Sequence, residues 1–136
     1  MSIISRFRTP EGAVQFFAAY DATLALWDVP HEALDVETSF GTTHVNVAGS
    51  ADLPPLVLLH APQISPPVWY PTIAPLSRHF RVYAPDAVDQ IGRRVPSRRL
   101  KTPKDCFDWH CGLLDALKLE RVTVIGHSQG GWQALN

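Results

Sequence analysis

The stretch from Val122 to Leu135, VTVIGHSQGGWQAL, constrains the fold more than any other part of the chain. Val122-Thr123-Val124-Ile125 has the length and β-branched composition of a strand buried on both faces. Gly131 to Leu135 suits the start of a helix. Between them Gly126-His127-Ser128-Gln129-Gly130 reads G-x-S-x-G, the pattern of a nucleophile elbow. A serine hydroxyl is a weak nucleophile unless it is held clear of the backbone beside a base. A sharp strand-to-helix turn holds it clear, at the cost of strained dihedrals on the serine and a close approach of two backbone segments. Gly126 and Gly130 supply the missing side chains that such an approach needs. The following helix aims free N–H groups at the place where negative charge would develop, and the Gln129 N–H is the first such donor. A bare G-x-S-x-G also arises as an ordinary turn with an incidental serine, so the flanking strand and helix carry the weight.

The 136 residues suffice for one domain with a real core, and 46% hydrophobic with 18% charged residues fits a globular chain. The net charge of −1 gives no global reason to expect nucleic acid or an anionic membrane as a partner. No apolar run reaches the length of a membrane span, and MSIISRFRTPEG lacks the apolar core of a signal peptide. Cys106 and Cys111 make no disulfide framework, so a reducing cytoplasm is the expected location. No C-x-x-C pair or histidine spacing suggests a metal, and no cofactor is expected.

Residues 11–28 read as an amphipathic helix, with Val14, Phe17, Ala18, Leu24 and Trp27 on its inner side and Pro10 and Pro30 at its ends. Its expected role is to cover the edge of a sheet, and residues 1–33 are set apart as this docking segment. Leu34–Phe40 and Thr42–Ala48, around Gly41, read as a hairpin. Leu56–Leu59 is a second buried strand, ending at His60-Ala61-Pro62-Gln63. A helix falls within Val68–Phe80, broken or started at Pro71 or Pro75. Arg81–Ala84 is a third buried strand, ending at Pro85-Asp86. A loop from Ala87 to Thr102 precedes a helix over Pro103–Leu117, with Phe107, Leu113, Leu114 and Leu117 inward. Alternating strands and helices imply an α/β fold with a mostly parallel sheet and flanking helices. Sites in such sheets form at the carboxyl ends of strands, where His60-Ala61-Pro62, Asp86 and Ser128 converge.

This order of motifs resembles the α/β-hydrolase superfamily, its serine esterase-like branch, over residues 34–136. That family's H-G motif corresponds to His60-Ala61, its D-x-x-G-x-G to the run Asp86 to Gly92, and its G-x-S-x-G to Gly126 to Gly130. The resemblance implies Ser128 as nucleophile, the Gln129 N–H as an oxyanion donor, and an acyl-enzyme route on a small-molecule ester-like substrate. It also implies that only the N-terminal half of the fold is present. In the family order Ser, acid, His, the acid and the His would follow Ser128, and none of the eight residues after it is Asp, Glu or His. A truncated hydrolase is therefore the expectation, set against an inactive remnant that serves as a binding or interaction module. The cut sheet edge at Val122–Ile125 would offer a route to self-association.

The family's second oxyanion donor would be the N–H of residue 62, which is Pro62 and has none. Ala61 and Gln63 are the alternatives. His60 is read as a hydrogen-bonding brace of this loop, with a role as base the alternative, and His127 as a structural member of the elbow. Asp86 is expected to order its own loop through backbone N–H groups. Arg93, Arg94, Arg98, Arg99, Lys101 and Lys104 read as a solvated loop, the alternative being attraction of anionic substrates to the mouth of the site.

Overall fold

A computed structural model describes residues 7–135, so the reading of the first six residues lies outside the described ones. Helix α1 (Pro10–Leu24) starts at Thr9, whose hydroxyl accepts from the Gly12 N–H at 3.0 Å, with Pro10 in the first turn. It stops at Leu24 rather than Asp28. Trp27 lies beyond it and is buried, its indole N–H donating to the Pro67 carbonyl at 3.2 Å. Val14, expected inward, is 69% exposed, and the buried residue of the helix is Tyr20. Tyr20 is thus the buried anchor of the helix, with Leu24 packed against the core at its end.

Strands β1 (His31–Thr38) and β2 (Gly41–Ala48) form the expected hairpin, paired from His31 with Ala48 to Thr38 with Gly41. Phe40, placed at a strand end by the sequence, sits in the turn and is fully buried. β3 (Pro55–Leu59) leads through a 3₁₀ turn (Pro66–Trp69) into α2 (Tyr70–Ser77) and β4 (Arg81–Pro85). The stretch expected to be a loop contains a short β5 (Val95–Pro96), which pairs with Gly41 and Thr42. α3 (Pro103–Ala116), β6 (Thr123–Gly126) and α4 (Gln129–Leu135) complete the described chain.

The strand order is β1-β2-β4-β3-β6, with β5 alongside β2. The sheet is mixed: β4-β3-β6 pair in parallel, whereas β1-β2 and β2-β4 are antiparallel. The two-residue hairpin forces the antiparallel pair, and the helical crossovers force the parallel one. Helices flank both faces of this sheet, as in the partial α/β arrangement expected. One face buries Phe40, Val45, Val47 and Val88 against Trp109 and Leu113 of α3; the other buries Leu56, Leu58, Val82 and Ala84 against Trp27 and Ile73.

Besides Val14 and Ala18 of α1, which are exposed, two further inward placements fail. Phe107 is 52% exposed, because the buried stripe of α3 is Cys106, Trp109 and Leu113, and the neighbour of Cys106 is rotated off that stripe. β6 is not buried on both faces: Val124 and Ile125 are 38% and 40% exposed, since β6 ends the strand order and nothing among the described residues pairs with its outer edge. No described helix is long and apolar enough to cross a membrane.

Candidate active site

β3 and β6 run parallel with Leu59 opposite Gly126, so the residues that follow each strand leave the sheet side by side. The His127 N–H donates to the Leu59 carbonyl at 3.0 Å and fixes the turn onto β3. Ser128 then takes a left-handed conformation, φ 56°, before α4 begins. Such a conformation costs a residue with a Cβ about 1–2 kcal/mol. A Cβ on Gly126 would collide with the backbone of Gly130, and one on Gly130 with the Leu59 carbonyl, so no other residue fits either position without moving main chain. Ser128 therefore sits at a tight strand-to-helix turn between β6 and α4. Ser128 is exposed, and its hydroxyl has no hydrogen-bond partner among the described residues. Gln129 opens α4, where first-turn N–H groups have no intrahelical acceptor.

The loop after β3 sits beside this turn. His60 is buried; its Nδ1 bonds to the Ala61 carbonyl at 2.8 Å and its Nε2 accepts from the Ala87 N–H at 3.1 Å. A carbonyl only accepts and an amide N–H only donates, so the proton is on Nδ1. Burial pushes the pKa of this imidazole down. With both nitrogens engaged, His60 braces two loops and has no lone pair for Ser128. Ala61 is buried and Pro62 offers no donor. Gln63 is left-handed as well, φ 63°, and its N–H donates to Gln90 Oε1 at 3.0 Å.

The loop after β4 closes the arrangement. Asp86 is buried, accepts from the Arg93 N–H at 2.9 Å and from the Tyr20 hydroxyl at 3.3 Å, and has Gly92 packed on its carboxylate. Burial raises its pKa to about 6 against the pull of the Arg93 N–H. Tyr20 accepts in turn from Asn46 Nδ2 at 2.7 Å, and burial followed by the Asp86 charge pushes its phenol far up. Asp89 Oδ2 accepts from Gln129 Nε2 at 3.5 Å. The three strand ends that the sequence brings together thus meet in one place. Asp86 orders its own loop, as expected, and does not touch Ser128.

Several basic residues of this stretch make ion pairs or ring contacts. Arg93 pairs with Asp21 at 2.5 Å and lies over the Phe17 and Tyr20 rings; Arg98 lies 3.7 Å from the centre of the Phe40 ring; Lys104 pairs with Asp108 at 2.6 Å. Arg94 departs from a solvated loop: it is 7% exposed, with its Nε on the Gln90 carbonyl. Cys106 and Cys111 are free thiols, and no cluster of three His, Cys, Asp or Glu among the described residues is set to hold a metal. Sequence reasoning missed Tyr20, Asn46 and Gln90. Their bonds join residues 66, 26 and 27 positions apart, a separation that carries no local signal.

Comparison with known proteins agrees with this geometry. Carboxylesterase YbfK of Bacillus subtilis (strain 168) is 38% identical over 131 residues, covering 96% of this chain and 44% of the relative. The crystal structure of that esterase, CesB (YbfK), superposes with a TM-score of 0.90 over 92% of this chain. The uncharacterized carboxylesterase nap of the same organism is 35% identical over 126 residues, 93% of this chain and 42% of the relative. The structure of naproxen esterase (carboxylesterase NP) from Bacillus subtilis gives a TM-score of 0.89 at 34% identity. The chain spans less than half the length of these relatives. The model of the Alpha/beta hydrolase family matches residues 56–136, a stretch that holds the loop after β3, the loop after β4 and the Ser128 turn, and the chain belongs to that family.

Proposed function

We propose that Ser128 is the nucleophile of a serine hydrolase that cleaves carboxylic esters or related acyl compounds. The observation that carries this reading is the left-handed, exposed serine at the end of β6, packed so tightly that only glycine fits two residues to either side. The relatives named as carboxylesterases support it. Ser128 Oγ attacks the acyl carbon as its proton passes to a base, and the carbonyl electron pair becomes an oxyanion beside the Gln129 N–H. Collapse expels the alcohol, which takes the proton, and water repeats the sequence on the acyl-enzyme. This chemistry draws on no metal or cofactor.

The base must lie within hydrogen-bond reach of Ser128. His60 is committed to its two loops, and no described histidine bonds to Ser128. We place the base and its orienting acid in the part of such hydrolases that this chain does not span. The second reading, an inactive remnant acting as a binding module, is favoured by Pro62 and by the full engagement of His60. A reducing, cytoplasmic setting fits the two free thiols. The open β6 edge we assign to pairing with a second copy of the chain.

Labelling with a fluorophosphonate, with imidazole added as an external base and read by intact mass, tests the nucleophile. Ser128 attack at phosphorus expels fluoride and adds one phosphonyl group, and Ser128→Ala abolishes the adduct. A folded chain that takes up no label is the inactive remnant.

A further inference from the structure

We propose that the side-chain amide of Gln90 is the second oxyanion donor, replacing the N–H that Pro62 cannot supply. The inference rests on Ser128 as nucleophile. Acyl transfer through a serine ordinarily uses two donors aimed at the developing oxyanion, and one missing donor costs about 10²–10³ in rate. Gln129 opens α4 with an N–H that has no intrahelical acceptor, while in the loop after β3 Ala61 is buried. Pro62 has no N–H, and the Gln63 N–H is spent on Gln90 Oε1 at 3.0 Å.

That same bond orients Gln90. A backbone N–H must face the oxygen of a carboxamide, so the Gln90 NH₂ group is the end turned away from Gln63. It has no partner among the described residues and is not among the buried atoms lacking one. Three observations set residue 90 between the loops that frame Ser128. Gln63 follows β3, whose last residue pairs with Gly126 and accepts from the His127 N–H next to Ser128. Asp89, the neighbour of Gln90, bonds to the side chain of Gln129, so residues 89 and 90 reach both loops that frame Ser128. The Gln90 carbonyl is in turn held by the buried Arg94. An amide side chain is chemically suited to this role, because it donates two hydrogens and carries no charge that would compete with the oxyanion.

The test is the rate of fluorophosphonate labelling of Ser128, with a fixed concentration of imidazole added as external base, in the wild-type chain, Gln90→Ala and Gln90→Glu, with the maximal rate separated from the half-saturating probe concentration. Near-ultraviolet circular dichroism checks that each variant keeps its fold. The phosphonyl oxygen takes the place of the oxyanion. Gln90→Ala should lower the maximal rate about 10²-fold while leaving half-saturation nearly unchanged. Gln90→Glu keeps an acceptor for the Gln63 N–H but turns a carboxylate toward the oxyanion. It should be at least as slow near neutral pH, and its rate relative to wild type should recover as pH falls and the carboxyl gains a donor hydrogen. A Gln90→Ala rate equal to or above wild type overturns the proposal, the faster result meaning that Gln90 Oε1 blocks the Gln63 N–H. A wild-type chain that labels no better than Ser128→Ala overturns the hydrolase reading and the role of Gln90 with it, whereas normal wild-type labelling unaffected at residue 90 overturns the role of Gln90 alone.

Discussion

Asp86 carries its charge where the fold tolerates it least. It is 1% exposed, and Oδ1 has no partner, while Oδ2 serves both Tyr20 and Arg93. Burial raises its pKa from 3.8 to about 6, so the folded chain takes up a proton more readily than the unfolded one. Its contribution is therefore full below pH 3.8 and is lost as pH rises through about 6, a difference of about 3 kcal/mol. His110 runs the opposite way. Burial lowers its pKa from 6.5 to about 4, so its contribution is full above 6.5 and is lost as pH falls through about 4. The two slopes oppose each other between those limits, and wild-type stability alone conceals both. Asp86→Asn separates them, because the amide oxygen still accepts from Arg93 and Tyr20. The variant should gain on wild type by up to about 3 kcal/mol on going from pH ~4 to pH ~8, measured by urea unfolding. A difference that stays constant with pH would show that Asp86 does not titrate in this range. Gly130→Ala tests the close approach behind Ser128. The new Cβ meets the Leu59 carbonyl, part of β3 and unable to yield, so a loss of about 3 kcal/mol is expected in the same measurement.

Among the elements, α1 and α3 are secured by opposite means. α3 carries its own start signal: the Thr102 hydroxyl accepts from the Asp105 N–H at 3.1 Å, and the Asp105 carboxylate accepts from the Thr102 N–H at 3.0 Å. Thr102→Ala should cost about 1 kcal/mol. α1 depends on Tyr20, and Tyr20→Phe removes both the bond to Asp86 and the acceptor of Asn46 Nδ2. That leaves two buried groups short, so a loss of about 2 kcal/mol is expected, with faster amide exchange in α1 and in residues 86–94. The contrast also marks what was legible in the sequence. The hairpin, β3, β4, α3 and the strand–turn–helix around Ser128 follow from local period and punctuation, and so did the meeting of strand ends at the site. Tyr20 lay on a helix whose apolar spacing pointed to Val14, because one polar anchor to a residue 66 positions away leaves no periodic trace. Gln90 escaped for the same reason. Pro62 could be read as a missing donor, but the side chain that lies against the next N–H belongs to another loop.

At the scale of the whole molecule, the two ends of the strand order differ: β1 exposes mainly His31, Glu32, Asp35 and Glu37, whereas β6 exposes apolar side chains. Val124 and Ile125 are 38% and 40% exposed, and Leu135 at the end of α4 is 89% exposed. A cavity of about 250 Å³ opens between α3, β6 and α4, walled by Val57, Leu59, Phe107, Leu114, Val122 and Val124. Unpaired strand N–H and C=O groups beside apolar side chains form a template for another strand. A second copy of the chain offers the same edge, and antiparallel pairing of two β6 strands would satisfy both and cover both cavities. Sedimentation velocity over a range of concentrations should therefore show a dimer in equilibrium with monomer. Ile125→Lys should shift it to monomer, since a lysine on an edge strand opposes pairing without touching the bonds that join β6 to β3. A wild-type chain that sediments as monomer throughout would refute the pairing. A variant that associates as strongly as wild type would move the contact elsewhere, and the exposed Phe107 on α3 would then be the next surface to change. Pairing would also bear on the site: Leu59 opposite Gly126 fixes where the loop after β3 meets Ser128, so a β6 steadied by a partner should label faster at Ser128 as protein concentration rises.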